Sequence, residues 1–242
     1  NTAIGKNALF AHNTTTATNA YNTAVGYHSG IAVTTGVENT IVGGLAGDAL
    51  TTGSQNVALG YQALTSDDVG SDSVAIGKGT LQNQNFTTAT NSYNTAVGRD
   101  AGNDITTGVQ NTLIGGLAGD ALTDVDFNVA VGMQALTADT LGSRSTAMGF
   151  FALGSQNFTT ATDTYNTAVG YSAGSAVTTG VQNTFIGGLA GDANTTGNEN
   201  TAIGYASLTT ATTAGGNNAF GWGAMLSTTT GYANVAMGVS SL

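Results

Sequence analysis

An all-β parallel β-solenoid is the fold that this sequence predicts, and three observations predict it. A five-residue cassette of the type Asn-Thr-Ala-(Val/Ile)-Gly returns fourteen times, starting at 1, 22, 39, 56, 73, 94, 111, 128, 145, 166, 183, 200, 217 and 234. Ten of the thirteen intervals are 17 residues and three are 21, and the long ones recur every 72 residues. Thirty-six glycines and no proline are spread evenly through the 242 residues, with no compositional shift to mark a linker. Self-similarity at a fixed period is the signature of a stack of coils. The chain therefore reads as one repeat domain, 1–242, made of superrepeats 1–72, 73–144 and 145–216 and a partial fourth at 217–242.

With the cassette Asn as position 1, each column has a physical meaning. Position 5 is glycine every time: Gly5, Gly26, Gly43, Gly60, Gly77, Gly98, Gly115, Gly132, Gly149, Gly170, Gly187, Gly204, Gly221 and Gly238. Such a column marks a positive φ or a close backbone approach, and is read as the corner that ends a strand. Position 4 is always apolar, from Ile4 and Val25 to Phe220 and Met237, and is expected to be the core column. Position 3 is Ala except at Ile41, Leu113 and Phe185, and position 8 is Ala, Ser or Thr. These small columns are read as the place where two chains approach each other. Period-2 alternation, β-branched residues and Thr-Thr-Gly turns predict two short strands per coil. A helix is excluded by the repeated glycines, which would each cost about 1 kcal/mol.

Position 1 is Asn in twelve coils and Ser at Ser73 and Ser145. Stacking places amide above amide, so either an asparagine ladder or a simple turn preference explains the column. Each coil offers only about two large apolar side chains against the entropy of ordering 17 residues. A further buried interface is expected, and with it an oligomer.

Charge narrows the function. Fourteen carboxylates face four basic side chains, giving −10, and Lys6, Lys78, Arg99 and Arg144 are dispersed. Nucleic acid and anionic membranes are thereby disfavoured as partners. No run of residues is long and apolar enough to insert in a membrane, and the absence of cysteine removes disulfides and thiol chemistry from the argument.

The cassettes NTAVGYHSG (22–30), NTIVGGLAGDALTTGSQNVALGYQAL (39–64) and NTAIGYASL (200–208) closely resemble the head repeats of trimeric autotransporter adhesins, and still more closely related repeats of bacteriophage tail-fibre proteins. The resemblance covers essentially the whole chain. It implies a left-handed parallel β-roll, three of which join about a threefold axis into a homotrimer. It also implies an extracellular place, on a virion tail fibre or a bacterial cell surface, and a role in host-surface attachment with a glycan or protein as partner. The 17-residue coil and the insertions at 10–21, 82–93 and 154–165 depart from the adhesin pattern. The chain reads as a shaft or head segment of something longer. Because NTAIG opens at residue 1 and NVAMG stands at 234–238, a self-assembling end-to-end filament is the alternative expectation.

Candidate binding residues lie in the insertions. Tyr21, Tyr93 and Tyr165 close the three loops, and Phe86 and Phe158 sit in two of them. Aromatic faces beside Thr and Asn suit a saccharide, while the same aromatics equally suit covering the edge of a core. Asn13, Asn85, Asn157 and Asn194 begin N-x-T triplets, explained by duplication. GGLAGDA at 43–49, 115–121 and 187–193 has the wrong spacing for calcium-binding repeats; Asp104 and Asp120, in adjacent coils, are the best candidates to share a cation. No catalytic residue is expected: Asp67–Asp68 and Asp124–Asp126 read as solvated turn residues, and His12 and His28 lie in different columns. No motif calls for a metal or cofactor. Stacked threonine pairs such as Thr34–Thr35 and Thr51–Thr52 leave ice binding as a third, lesser reading.

Overall fold

The computed structural model describes residues 1–13 and 19–242. The chain is an all-β parallel β-solenoid with no helix among the described residues, and it divides into two compact units, Asn1–Asp126 and Phe127–Leu242. In the first unit, β1 (Thr2–Ile4), β2 (Thr23–Val25), β3 (Thr40–Val42), β4 (Val57–Leu59), β6 (Val74–Ile76), β8 (Thr95–Val97) and β9 (Thr112–Ile114) pair in that order, all parallel; β5 (Gly70–Ser71) pairs β7 (Thr90–Asn91). The second unit repeats the plan. There β10 (Val129–Val131), β12 (Thr146–Met148), β14 (Thr167–Val169), β15 (Thr184–Ile186), β16 (Thr201–Ile203), β17 (Asn218–Phe220) and β18 (Val235–Met237) stack, and β11 (Gly142–Ser143) pairs β13 (Thr162–Asp163).

Register is fixed column by column: Thr2, Ala3 and Ile4 lie beside Thr23, Ala24 and Val25, and Thr184, Phe185 and Ile186 beside Thr201, Ala202 and Ile203. One three-residue strand forms in every coil, and the second strand expected is present only as two residues in coils 56–72, 73–93, 128–144 and 145–165. The rest of each coil turns through left-handed residues. Positions 7 and 9 of every coil have φ between +47° and +65°, as does, up to +68°, the residue before each later cassette. Three left-handed residues per coil bend the chain too often for a second strand to extend beyond two residues.

The glycine corner meets both conditions expected of it. At Gly26 φ is +141°, and a Cβ there would lie 2.5 Å from the carbonyl oxygen of Gly43 in the next coil. Backbone stacking is this close because Gly26 N–H donates to Ile4 O at 2.8 Å while Thr23 N–H donates to Asn39 O at 2.8 Å.

The core is not where position 4 put it. Position 3 is inside: Ala24, Ile41, Ala58, Leu113, Ala168 and Phe185 are fully buried, whereas no position-4 side chain is buried and Ile114, Met148 and Ile186 are about two-fifths exposed. Positions 3 and 4 necessarily face opposite ways on a strand. The coil is so thin that position 8 holds only small side chains and position 3 holds Ala except at Ile41, Leu113 and Phe185, and most coils add one large side chain from elsewhere. These small columns are therefore the inside of a single chain, not the contact between chains. The large side chain comes from position 9 (Leu64, Leu81, Leu136, Leu153) or from position 12 opposite Gly at position 9 (Val33, Leu50, Ile105, Leu122). Where position 3 is enlarged to Phe185, both Gly174 and Gly191 make room; a Cβ on Gly191 would lie 2.5 Å from the ring. Close packing fixes the volume of each coil, and the sequence meets it by exchange between columns.

Candidate functional site

The asparagine column forms a buried ladder. Asn39 N–H and Nδ2 both donate to Asn22 Oδ1, at 2.9 and 3.1 Å, and Nδ2 also donates to Gly53 O at 3.0 Å, clasping the first and fifteenth residues of its own coil. The second unit repeats this at Asn183, bonded to Asn166 Oδ1 and Gly197 O. Every polar atom of the amide is used, as a buried polar group requires.

The insertion coils satisfy the ladder differently. In coil 73–93, Ser73 N–H still donates to Asn56 Oδ1 at 2.9 Å, but Ser73 offers no amide to the coil below. Gln84 supplies one: its Oε1 accepts Asn94 Nδ2 at 2.9 Å, and its Nε2 donates to Ser73 Oγ at 2.8 Å and Asp67 Oδ2 at 2.6 Å. Asp67 Oδ1 accepts the N–H groups of Gly70 and Phe86. The second unit carries the same network: Gln156 bridges Asn166, Ser145 and Asp139, and Asp139 accepts Gly142 and Phe158 N–H. Asp67 and Asp139 are fully buried, so Asp67 is not the solvated turn residue expected. Burial raises both carboxyls above the usual carboxylate value, against the opposing effect of their hydrogen bonds. The same direction and first cause hold at Asp48 and Asp192, each with a buried Oδ1 lacking a partner.

This network confines the insertions. The register is intact at Asn85, whose N–H donates to Thr106 O at 2.8 Å, and restored at Ser92, whose carbonyl accepts Gln110 N–H at 2.7 Å. Between them Phe86 turns inward and is 5% exposed; Phe158 does the same at 6%. The phenylalanines thus cover the edge of the core. The tyrosines stand out: Tyr21, Tyr93 and Tyr165 are 67, 54 and 53% exposed, each with a positive φ. Residues 14–18 of the first insertion lie outside the described residues.

Tyr165 belongs to a polar cluster that the sequence reading did not single out. Its hydroxyl donates to Asp163 Oδ2 at 3.4 Å, Arg144 Nε donates to Asp163 Oδ1 at 3.0 Å, and the guanidinium lies 4.6 Å from the Phe127 ring centre. At Tyr93 the hydroxyl accepts Asn91 Nδ2 at 3.2 Å instead. A second missed feature is position 6, which presents exposed Tyr27, Tyr61, Phe150, Tyr171, Tyr205 and Trp222; Phe150 and Tyr171 stack with ring centres 5.6 Å apart. The signal, an aromatic at a fixed offset from the cassette, was present in the columns.

Other candidates have structural uses. Thr34 and Thr178 hydroxyls donate along the stack to Thr51 O and Thr195 O, and Asp104 accepts from Asn83 Nδ2. Asp124 accepts Thr107 Oγ1 at 2.7 Å and Asp126 accepts Val109 N–H. His28 stacks on Tyr27 and bonds Asn7. Asn194 is buried, with neither amide atom partnered. Among the described residues no three His, Asp or Glu side chains converge as a metal site would require, and no helix is long and apolar enough to cross a membrane. Compared with known proteins, the chain matches no family model, no curated protein and no solved structure.

Proposed function

We propose that the chain is a structural and adhesive segment of a homotrimeric surface fibre, of the phage tail-fibre or bacterial adhesin kind, serving attachment to a host surface outside the cell. The observation that carries this reading is the outward apolar column. Along the strands of each unit, position 4 sets Ile, Val, Leu, Met or Phe on the outer face of the sheet, with no covering layer among the described residues. A continuous apolar face of this kind marks an association surface. Its occupant is two further copies: a repeat face is matched in spacing by the same repeat, and the cassettes resemble those of trimeric fibres. The face that joins chains is thus the position-4 face, and not the small-residue columns. The exposed insertion tyrosines remain on the rest of the coil as candidate host contacts.

Sedimentation equilibrium tests the assembly. A single species of three chains is expected, and Val97→Asp with Ile114→Asp is expected to release single chains. A wild-type protein that sediments as one chain would overturn the reading, as would polymers of open length, which mark the filament alternative. For attachment, Tyr21→Ala, Tyr93→Ala and Tyr165→Ala combined are expected to weaken binding to host cells or envelope glycans. Unchanged binding would remove the insertions from the contact.

A further inference from the structure

The second unit holds a groove of about 500 Å³ on the face made by the last residues of its coils. It opens because coil 200–216 ends in Gly215–Gly216, where the coil before ends in Asn198–Glu199 and the coil after in Tyr232–Ala233. A Cβ on Gly215 would lie 2.9 Å from Asn198 O, but the backbone makes no such demand at Gly216. Gly216 has φ +68°, and Gln182 in the same column holds φ +59° with a full side chain. A Cβ on Gly216 would have only Ala233 backbone as neighbour, at 3.7 Å. The missing side chain is space that no other group among the described residues fills.

The walls are chemically specific. Tyr232 is 65% exposed, its ring edge rests by Gly215, and its hydroxyl donates to Thr213 O at 3.3 Å, which holds the ring in place. Asn198 Oδ1 accepts Val181 N–H at 2.8 Å, leaving Nδ2 as the free donor. The Glu199 carboxylate has no partner among the described residues. Thr196 adds a hydroxyl to the lining. The only basic side chain in this unit, Arg144, is paired with Asp163, so an anion would meet Glu199 without a counter-charge. One fixed aromatic ring, surrounded by an acceptor, a donor and a hydroxyl, in a groove of ligand size, matches a ring with an apolar C–H face and hydroxyls at its rim.

We propose that the groove at Gly215–Gly216 binds one neutral sugar ring of a surface oligosaccharide. Tyr232 stacks on the C–H face of that ring, while Glu199 and Asn198 hydrogen-bond its hydroxyls. This deepens the attachment reading by naming a ligand class, but the groove lies within a single chain. Failure of the trimer in sedimentation and failure of sugar binding are therefore separate results.

The test is a glycan array of neutral hexose- and N-acetylhexosamine-terminated oligosaccharides, with sialylated glycans as a second arm, followed by titration of the best neutral glycan. Wild type is expected to retain at least one neutral glycan in preference to the sialylated set. Gly216→Gln puts into the groove a side chain that its column already carries, and is expected to weaken binding by about tenfold or more with the melting temperature unchanged. Tyr232→Ala is expected to act in the same direction, and Tyr232→Phe to keep stacking and most of the affinity. Retention of no neutral glycan, or equal retention by wild type and Gly216→Gln, overturns the proposal.

Discussion

Coils 39–55 and 73–93 of the first unit do the same stacking with different side chains. In the first, Asn39 clasps its own coil and bonds the amide above. In the second, Ser73 has given up its amide and Gln84, eleven residues on, returns one to the same place, steadied by Asp67 from the coil before. The difference shows that the ladder demands an acceptor at a point in space rather than an asparagine in a column. It also shows how a coil four residues longer keeps register.

The feature common to both coils is the glycine corner, and breaking it gives the largest expected effect. Gly43→Ala or Gly98→Ala sets a Cβ on the backbone of the next coil at a φ that side chains rarely adopt. Each is expected to cost about 3 kcal/mol or more in urea unfolding. Next come the two versions of the clasp. Asn39→Ala and Gln84→Ala each strand buried partners and are expected to lose about 1–3 kcal/mol. Ser73→Asn alone crowds Gln84 and destabilises, but combined with Gln84→Ala it restores an acceptor for Asn94. The double variant should therefore lose less than the two singles added together, and strict additivity would refute the substitution of one amide for the other.

A smaller effect separates the coils by pH. Asp67 belongs only to the insertion network, and burial raises its carboxyl above the usual carboxylate value. The folded state then binds a proton more readily than the unfolded one. Its contribution is full below the unfolded value and is lost as pH rises through the folded value. The urea midpoint is therefore expected to rise on acidification from neutrality toward the unfolded value, and Asp67→Asn to flatten that slope. Asp139, Asp48 and Asp192 act in the same direction, so the slope should shrink rather than vanish. The smallest effect is at Tyr93→Ala, an exposed site expected to change stability by less than about 0.5 kcal/mol.

Much of the stack was legible because glycine and asparagine state backbone needs directly. Gly26 announces a corner and Asn22 a clasp wherever they recur. The inside and outside of the strand were not legible from Val25 and Ala24, since a period of two divides faces without saying which is enclosed. Ranking by hydrophobicity chose the wrong one because the outer face is the greasier. The site was less legible still. Asp67, Ser73 and Gln84 are unremarkable one by one, and their meaning depends on being brought together across neighbouring coils. The groove is written as Gly215–Gly216, a pair that reads as one more turn until Gln182 shows the column does not require glycine.

The exchange of bulk between positions 9 and 12 has a consequence for inheritance. Phe185 needs Gly174 of the coil before it and Gln84 needs Asp67 of the coil before it, so the set of coils that recurs every 72 residues, not the single rung, is the unit that can be duplicated or lost without a compensating change elsewhere. Gain or loss of a whole 72-residue block creates no novel junction, so reach can be lengthened by recombination alone while single rungs drift to suit new surfaces.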